Sequence, residues 1–322
     1  MEPLFVAFAS AAFALCFVGA GCIFSAFCER RLVRVQRMSM WAELVRLMAR
    51  SESHTARAAP LLAWLAPVLM LAALPVASVH PLGVQVPASV APWGVMTLVA
   101  FAPLAALAPL WAGWCSAEHL ALLGGVRAAV MHLSYTSCLA LILAAAALAT
   151  GAPELVAVVE RQSHSLGPLP RWNIFLQPVG AVVFLGWLFV WSEREPFGSG
   201  GASGVLAPGY RRGFVGGDLV LLRLADHARL FIGAALGVVL FGGGWHDPSG
   251  EYLNLAAFLN TWAEVGVFLV KVLILVAILA WLRRVLPCFD YGQSLRLLFF
   301  LFLPLALANL LWVAFVVTAQ GV

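Results

Sequence analysis

Hydrophobic residues in this chain come in long continuous runs separated by short polar stretches. Eight runs stand out, at about 3–27, 60–79, 93–114, 126–150, 172–191, 219–241, 254–282 and 295–318. Each reaches the ~20 residues that a helix rising ~1.5 Å per residue needs to cross the hydrocarbon core of a bilayer. The runs are continuous rather than alternating, which excludes a β-barrel. Residues 1–322 are therefore expected to form a single polytopic membrane domain, an all-α integral membrane protein of about eight transmembrane helices. Between the first two runs, Trp41 to Arg50 places Leu44, Val45, Leu47 and Met48 among Glu43, Arg46 and Arg50 at near-helical spacing. That segment is too short to span and reads as an amphipathic helix on the cytoplasmic surface.

Composition agrees with the pattern. Of 322 residues, 63% are hydrophobic and 11% charged, with a mean hydropathy of +0.96, whereas a soluble domain carries roughly a quarter charged residues. The start Met1-Glu2-Pro3 has no basic segment, and the first run is longer than a signal-peptide core, so it is expected to stay as an anchor. Three of the six cysteines, Cys16, Cys22 and Cys28, recur at six-residue intervals. Each interval turns ~240° around a helix, so they share no face. The chain offers no CxxC pair, no Walker loop and no GxGxxG after a strand, and it is expected to bind no metal, nucleotide or other cofactor of its own.

Charge gives an orientation. The basic residues are eighteen arginines and Lys271, and sixteen of the arginines fall in the odd-to-even connections. The other connections hold only Arg161 and Arg171. The positive-inside rule then puts the odd-to-even connections in the cytoplasm and both termini outside. The 192–218 connection is rich in glycine and is expected to be irregular.

Lys271 falls near the middle of the seventh run, twelve residues or ~18 Å from Arg283, beyond the reach of a snorkelling side chain. It must be deprotonated, paired or hydrated, which makes it a candidate for proton handling or for a structural pair. Glu264 shares its face but lies ~10 Å away. Asp226 is the better partner if the sixth and seventh runs pack together. Asp226 also recurs with Arg223 and Arg229 at three-residue spacing, so a local ion-pair stripe is the competing reading. In the fourth run His132, Tyr135 and Thr136 form a polar patch, for proton transfer or for hydrogen-bonded packing. Gly233 and Gly237 read as a small-residue packing pair.

Specific residues match a known family. Glu29-Arg30-Arg31, Ala66-Pro67, Ala112-Gly113-Trp114, Ala121-Leu122-Leu123-Gly124, Arg127-Ala128-Ala129, Ser134-Tyr135, Pro196-Phe197, Gly209-Tyr210, Gly243-Gly244-Trp245-His246, Lys271, Arg283, Leu286-Pro287, Tyr291, Leu303-Pro304 and Asn309-Leu310 follow one another in its order. In this the chain resembles the H subunit of bacterial NADH-quinone oxidoreductase, the subunit 1 family of respiratory complex I, and related membrane-bound hydrogenase anchors. The resemblance implies a bacterial inner-membrane subunit that docks a peripheral iron-sulfur arm to antiporter-like subunits and contributes to a quinone chamber and a proton pathway. Quinone would be the substrate, with iron-sulfur clusters and flavin in partner subunits. On that footing Lys271, Asp226, His132, Tyr135 and Glu264 are proton-pathway candidates. Glu29, Arg30, Arg31, Arg127, Arg194, Arg211, Arg212 and Arg283 are candidates for the quinone chamber or for arm docking. The chain departs from the family pattern in four places: only Leu32 to Met40 separates Glu29-Arg30-Arg31 from the surface helix where the family has a Gly/Pro/Arg-rich stretch, Thr136 stands where a glutamate follows Ser-Tyr, residues 201–205 lack an acidic run, and Asp226 replaces a glutamate. These departures support the alternative of a structural anchor without quinone or proton chemistry of its own.

Overall fold

A computed structural model describes residues 94–116, 118–163, 165–166, 169–170, 172–194, 196–197, 209–214, 216–246 and 257–319. The first two runs, the surface helix at 41–50, and Glu29, Arg30 and Arg31 lie outside the described residues.

The described chain is helical. Its elements are α1 (Gly94–Ala106), α2 (Ala108–Cys115), α3 (His119–Thr150), α4 (Leu155–Ser163), a two-residue hairpin of β1 (Ser165–Leu166) with β2 (Leu169–Pro170), α5 (Asn173–Leu176) and α6 (Pro178–Trp191). A 3-10 turn (Gly209–Gly213), α7 (Gly216–Phe241), α8 (Ala257–Val285) and α9 (Tyr291–Leu297) follow, and a π-helical turn (Leu298–Phe302) joins α9 to α10 (Leu303–Ala319). Among the described residues, five helices are long and apolar enough to cross a membrane: Gly94–Cys115, His119–Thr150, Leu222–Phe241, Glu264–Val285 and Tyr291–Ala319. The protein is an all-α membrane protein.

Three elements differ from the expected runs for local reasons. The 93–114 run is interrupted at Leu107, where Leu110 N–H donates to the Leu107 carbonyl over 3.0 Å and Pro109 starts a new helix. The 172–191 run breaks at Gln177, whose φ of −133° and ψ of 58° leave the helix before Pro178 restarts it. The 126–150 run begins seven residues earlier, at His119. That extension leaves Arg127 inside the helix rather than at its entry, and its guanidinium rests 4.8 Å from the centre of the Tyr291 ring, on the helix that also starts early.

Burial orders the bundle. The α7 span is 83% buried, against 33% for the α8 span and 22% for the last. Thus α7 is the central helix, while Phe300, Leu311, Trp312 and Phe315 of the last span point away from the core. The main core joins α1, α3, α6, α7, α8 and the π turn through residues such as Tyr135, Leu139, Phe184, Trp187, Phe231 and Phe302. Gly233 and Gly237 lie directly against Leu188 and Phe184 of α6, which is the packing role their spacing predicts.

Candidate functional site

The charged side chains buried in the bundle converge at the arginine-rich end of α6 and α7. The geometry starts with the end of α6. Glu193 N–H donates to the Val190 carbonyl over 3.0 Å and Arg194 N–H to the Phe189 carbonyl over 3.1 Å, the paired bonds of a Schellman cap. The first of these two residues must be left-handed, a place usually taken by glycine, yet here it is Glu193 at φ 50°. A left-handed non-glycine residue costs about 1–2 kcal/mol. The strain turns the Glu193 side chain inward, where it is 1% exposed.

Inside, Glu193 Oε2 accepts hydrogen bonds from Tyr210 Oη at 2.7 Å and from Arg211 Nη2 at 2.6 Å. The same Arg211 nitrogen donates to Asp226 Oδ2 at 2.6 Å, so one guanidinium bridges two carboxylates. On the other flank Arg229 Nη2 donates to Asp226 Oδ1 at 2.8 Å and lies 3.1 Å from Glu193 Oε1. His132 Nε2 of α3 approaches Glu193 Oε1 at 3.6 Å. Two carboxylates thus face two guanidiniums in a closed four-membered arrangement.

The elements that deliver these groups are held close by small residues. A Cβ on Gly124 would lie 2.9 Å from the Gly209 carbonyl carbon and the Tyr210 nitrogen, so only glycine lets the 3-10 turn rest on α3. That contact seats Tyr210, which is fully buried, and with it Arg211. Trp191 lines the floor, 5.8 Å from the Arg229 guanidinium and 6.2 Å from the His132 ring.

Electrostatics fix the protonation of the loop groups. Burial by itself would raise the Glu193 carboxyl, but the charges of Arg211 and Arg229 and the Tyr210 hydrogen bond overcome it and hold the group at about 2. Burial pushes the Tyr210 phenol well above its ordinary value, so it stays a donor. Burial also opposes the charge on Arg211, and Asp226, Tyr210 and Glu193 more than restore it. Glu193 and Arg211 are therefore held in their charged forms. Both ring nitrogens of His132 and Nε and Nη1 of Arg229 make no hydrogen bond among the described residues. Such groups are costly inside a fold.

Lys271 belongs to a second constellation, at the opposite end of α7. Its ammonium donates to the carbonyls of Gly242 at 2.9 Å, Gly244 at 3.1 Å and His246 at 2.7 Å, and sits 5.0 Å from the centre of the Trp172 ring. These carbonyls belong to the turn that ends α7, where Gly243 and Gly244 take φ 72° and 55°. A cation at a helix C-terminus is favoured by the exposed carbonyls and the helix dipole. Gln162 braces the same turn, accepting from Gly243 N–H at 3.0 Å and Asn173 N–H at 3.1 Å and donating to the Val239 carbonyl at 3.0 Å. Burial and the Lys271 charge lower the His246 imidazole, which keeps it neutral.

The structure thus joins only part of what the sequence singled out. Asp226, His132 and Arg211 meet, and the Asp226–Arg229 member of the ion-pair stripe is real. The expected Asp226–Lys271 pair is not formed: the two residues bind groups at opposite ends of the 26-residue helix α7, roughly 20 Å or more along its axis. Tyr135 turns elsewhere and donates to the Ser294 carbonyl at 3.0 Å, pinning α9 to α3. Thr136 donates back to the His132 carbonyl at 2.7 Å and presents no acid to the cluster. Glu264 lies two turns before Lys271 on α8, Arg127 sits against Tyr291, and Arg194 and Arg283 line a groove outside the cluster. The Arg212 side chain lies outside the described residues.

Sequence reasoning missed Glu193 and Tyr210. Glu193 stands two residues past an apolar run in the segment Ser192-Glu193-Arg194-Glu195, where a carboxylate looks like an ordinary solvated loop residue. The available signal was the proximity of two acids to Pro196, which stops the helix and forces a turn there.

Comparison with known proteins gives this arrangement a family. The family model for NADH dehydrogenase matches residues 3–314. The chain belongs to this family. Within the NADH dehydrogenase family it is 29% identical over 287 residues to the NADH-quinone oxidoreductase H subunit of Wolbachia sp. subsp. Brugia malayi, covering 85% of this chain and 80% of the relative. It is 28% identical over 289 residues to the H subunit of Salinibacter ruber, covering 87% and 83%. NADH-ubiquinone oxidoreductase chain 1 of Myrmecophaga tridactyla is 32% identical over 219 residues, 68% of this chain and 64% of that one, so the chain matches under two thirds of that relative's length. Its fold is similar to a chain from the membrane-bound sulfane sulfur reductase, an archaeal respiratory membrane complex, at TM-score 0.78 and 20% identity, covering 96% of this chain and 99% of that one.

Proposed function

We propose that this member of the NADH dehydrogenase family is the membrane subunit of a complex I-like NADH-quinone oxidoreductase of the bacterial inner membrane. In this reading it docks a peripheral electron-transfer arm, works beside antiporter-like membrane subunits, and contributes to the quinone chamber and the proton pathway. Flavin and iron-sulfur clusters reside in partners, and both termini face outward with the arginine-rich ends in the cytoplasm. Family membership and the bacterial relatives named as the H subunit support the assignment.

The observation that carries the proton role is the bridge of Arg211 across Glu193 and Asp226 inside the bundle. Two buried carboxylates within reach of one cation form a charge store. While Arg211 and Arg229 are in place Glu193 is held ionised, and withdrawing either cation removes charge that offsets its burial and so favours uptake of a proton. Arg229 has no exposed side-chain surface, whereas Arg211 is 25% exposed and lies on the short 3-10 turn, so Arg211 is the movable partner. Quinone reduction near the 192–218 connection is the event that shifts it. Lys271 then serves as a clamp on the far end of α7, and its three carbonyl contacts support that assignment over a carrier role.

The test is labelling of the assembled complex with a photoreactive quinone analogue. Adducts in 29–59 or 192–218 are expected. Their absence from an active complex would remove this subunit from the chamber.

A second reading is a structural anchor in a membrane hydrogenase or another complex I-related assembly, without quinone or proton chemistry of its own. The full neutralisation of both carboxylates favours it, together with Thr136 in place of an acid. The two readings separate on whether Glu193→Gln alters proton movement.

A further inference from the structure

The segment that follows Glu193 is fastened as firmly as the helix that precedes it. The Pro196 carbonyl accepts the Phe289 N–H at 2.9 Å, and beside it the Phe197 ring enters a box of aromatic rings. Phe197 stacks on Phe289 of the α8–α9 link, with centroids 5.3 Å apart and planes 25° from parallel. It meets Tyr135 of α3 at 5.7 Å and, edge-on, Phe302 of the π turn at 6.2 Å. Tyr135 and Phe302 in turn lie 5.8 Å from each other. Phe197 is buried in consequence, although it belongs to a connection.

The walls of the box are themselves fixed. Tyr135 is held through its hydroxyl, which donates to the Ser294 carbonyl. A Cβ on Gly186 would lie 2.7 Å from the Phe302 ring, so the missing side chain lets Phe302 rest on α6. From Glu193 to Phe197 the chain covers at most ~14 Å even when fully extended. A short tether between two fixed points leaves the backbone little freedom, and a left-handed non-glycine residue persists only where its surroundings over-determine it. The Schellman cap holds Glu193 on the α6 side, and the Pro196 carbonyl and the Phe197 ring hold it on the other.

We propose that Phe197 is the positioning residue of the ionic cluster: docked between Tyr135, Phe289 and Phe302, it enforces the left-handed turn that keeps the Glu193 carboxylate facing Arg211 and Arg229. It acts through the backbone of 193–197 rather than through the charges. The positioning stands on the geometry alone, whereas its consequence for proton movement rests on the proposed role of the Glu193–Asp226 pair. Without the ring, ordinary backbone conformations regain the advantage of roughly five- to thirtyfold that they hold over a left-handed non-glycine residue, and the carboxylate swings out.

The experiment treats the detergent-solubilised native complex with a water-soluble carbodiimide and glycine ethyl ester, which convert accessible carboxyls to amides, and reads each site by mass spectrometry. Exposed Glu160 serves as the internal standard. In the Phe197→Ala complex, Glu193 labelling relative to Glu160 should rise about fivefold or more while Asp226 stays protected. Phe197→Leu, which refills the box, should restore most of the protection. Phe289→Leu loosens the box with residue 197 in place and should raise Glu193 labelling by a smaller factor. Unchanged Glu193 labelling in the assembled Phe197→Ala complex, or in Phe289→Leu where the alanine variant does not assemble, overturns the proposal. Equal labelling of Asp226 also overturns it, because that marks a general loosening of the bundle rather than a released turn. Protons translocated per electron are recorded for the same Phe197→Ala complex in sealed vesicles. Raised Glu193 labelling with an unchanged ratio keeps Phe197 as the positioning residue and removes the proton role of the pair.

Discussion

Replacing Lys271 by methionine keeps most of the side-chain length and apolar volume while removing the ammonium from the turn that ends α7. Three carbonyls, those of Gly242, Gly244 and His246, then lose donors at 2.9, 3.1 and 2.7 Å. Hydrogen bonds to a charged group each contribute about 1.5–3 kcal/mol. The three share one donor and cannot be summed freely, and Lys271 is only partly buried, so a loss of about 3 kcal/mol is the expected scale. Gln162 still braces the turn through Gly243 N–H but cannot supply a charge. For a chain of 322 residues that loss corresponds to a fall of roughly 4–5 °C in the unfolding midpoint. The assay pairs thermal unfolding of the detergent-solubilised complex with turnover per assembled complex in membranes. The variant should melt early and assemble in lower yield, with nearly normal turnover in the complexes that form. Normal melting with collapsed turnover would refute the clamp and make Lys271 a proton carrier.

Other substitutions have equally definite outcomes. Glu193→Gly relieves a left-handed strain of about 1 kcal/mol but leaves two guanidiniums sharing Asp226 alone, at about 3–5 kcal/mol, so net destabilisation is expected in chemical unfolding; stabilisation would show the carboxylate to be dispensable. Because the folded Glu193 carboxyl is depressed to about 2, its contribution is complete above the ordinary carboxylate range and lost only as pH falls towards about 2. The hydrogen-exchange protection factor of the 209–213 turn, taken relative to the base-catalysed intrinsic rate, should therefore be constant from pH 6 to 9, and a transition in that window would disprove the lock. Gly124→Ala should displace the 3-10 turn that carries Arg211 and reduce quinone-linked turnover while α3 stays helical, as read by activity and circular dichroism. Tyr135→Phe removes one bond to the Ser294 carbonyl and should lower stability by about 1 kcal/mol with turnover unchanged, since Tyr135 lies outside the cluster.

The physical basis of these outcomes was only partly visible in the sequence. Helix existence followed from run length, because no other structure satisfies so long an apolar backbone in a bilayer. Asp226 and Arg229 were readable as an ion pair because they sit three residues apart on one helix. Arg211 was visible as a charge, but its partners are 15 and 18 residues away, joined through a loop whose course depends on the contact with Gly124. Glu193 was hidden for a different reason: its importance comes from a left-handed backbone and an inward side chain, neither of which periodicity encodes. Lys271 looked stranded mid-span because helix arithmetic measured its distance to the ends of its own helix, whereas the turn that binds it belongs to the neighbouring one. The apparent shortage of acids was also a matter of place. With Thr136 bonded to its own helix, Glu193 and Asp226 supply the buried carboxylates from α6 and α7 instead.

Central to the proposed mechanism is the Glu193–Asp226 pair under Arg211, which couples quinone chemistry to proton movement. The most direct measurement is the number of protons translocated per electron by the assembled Glu193→Gln complex in sealed vesicles, with quinone reduction recorded in the same sample. A clear fall in protons per electron at preserved assembly is expected. An unchanged ratio at unchanged turnover would contradict the coupling role and leave the cluster as the internal brace of a structural anchor.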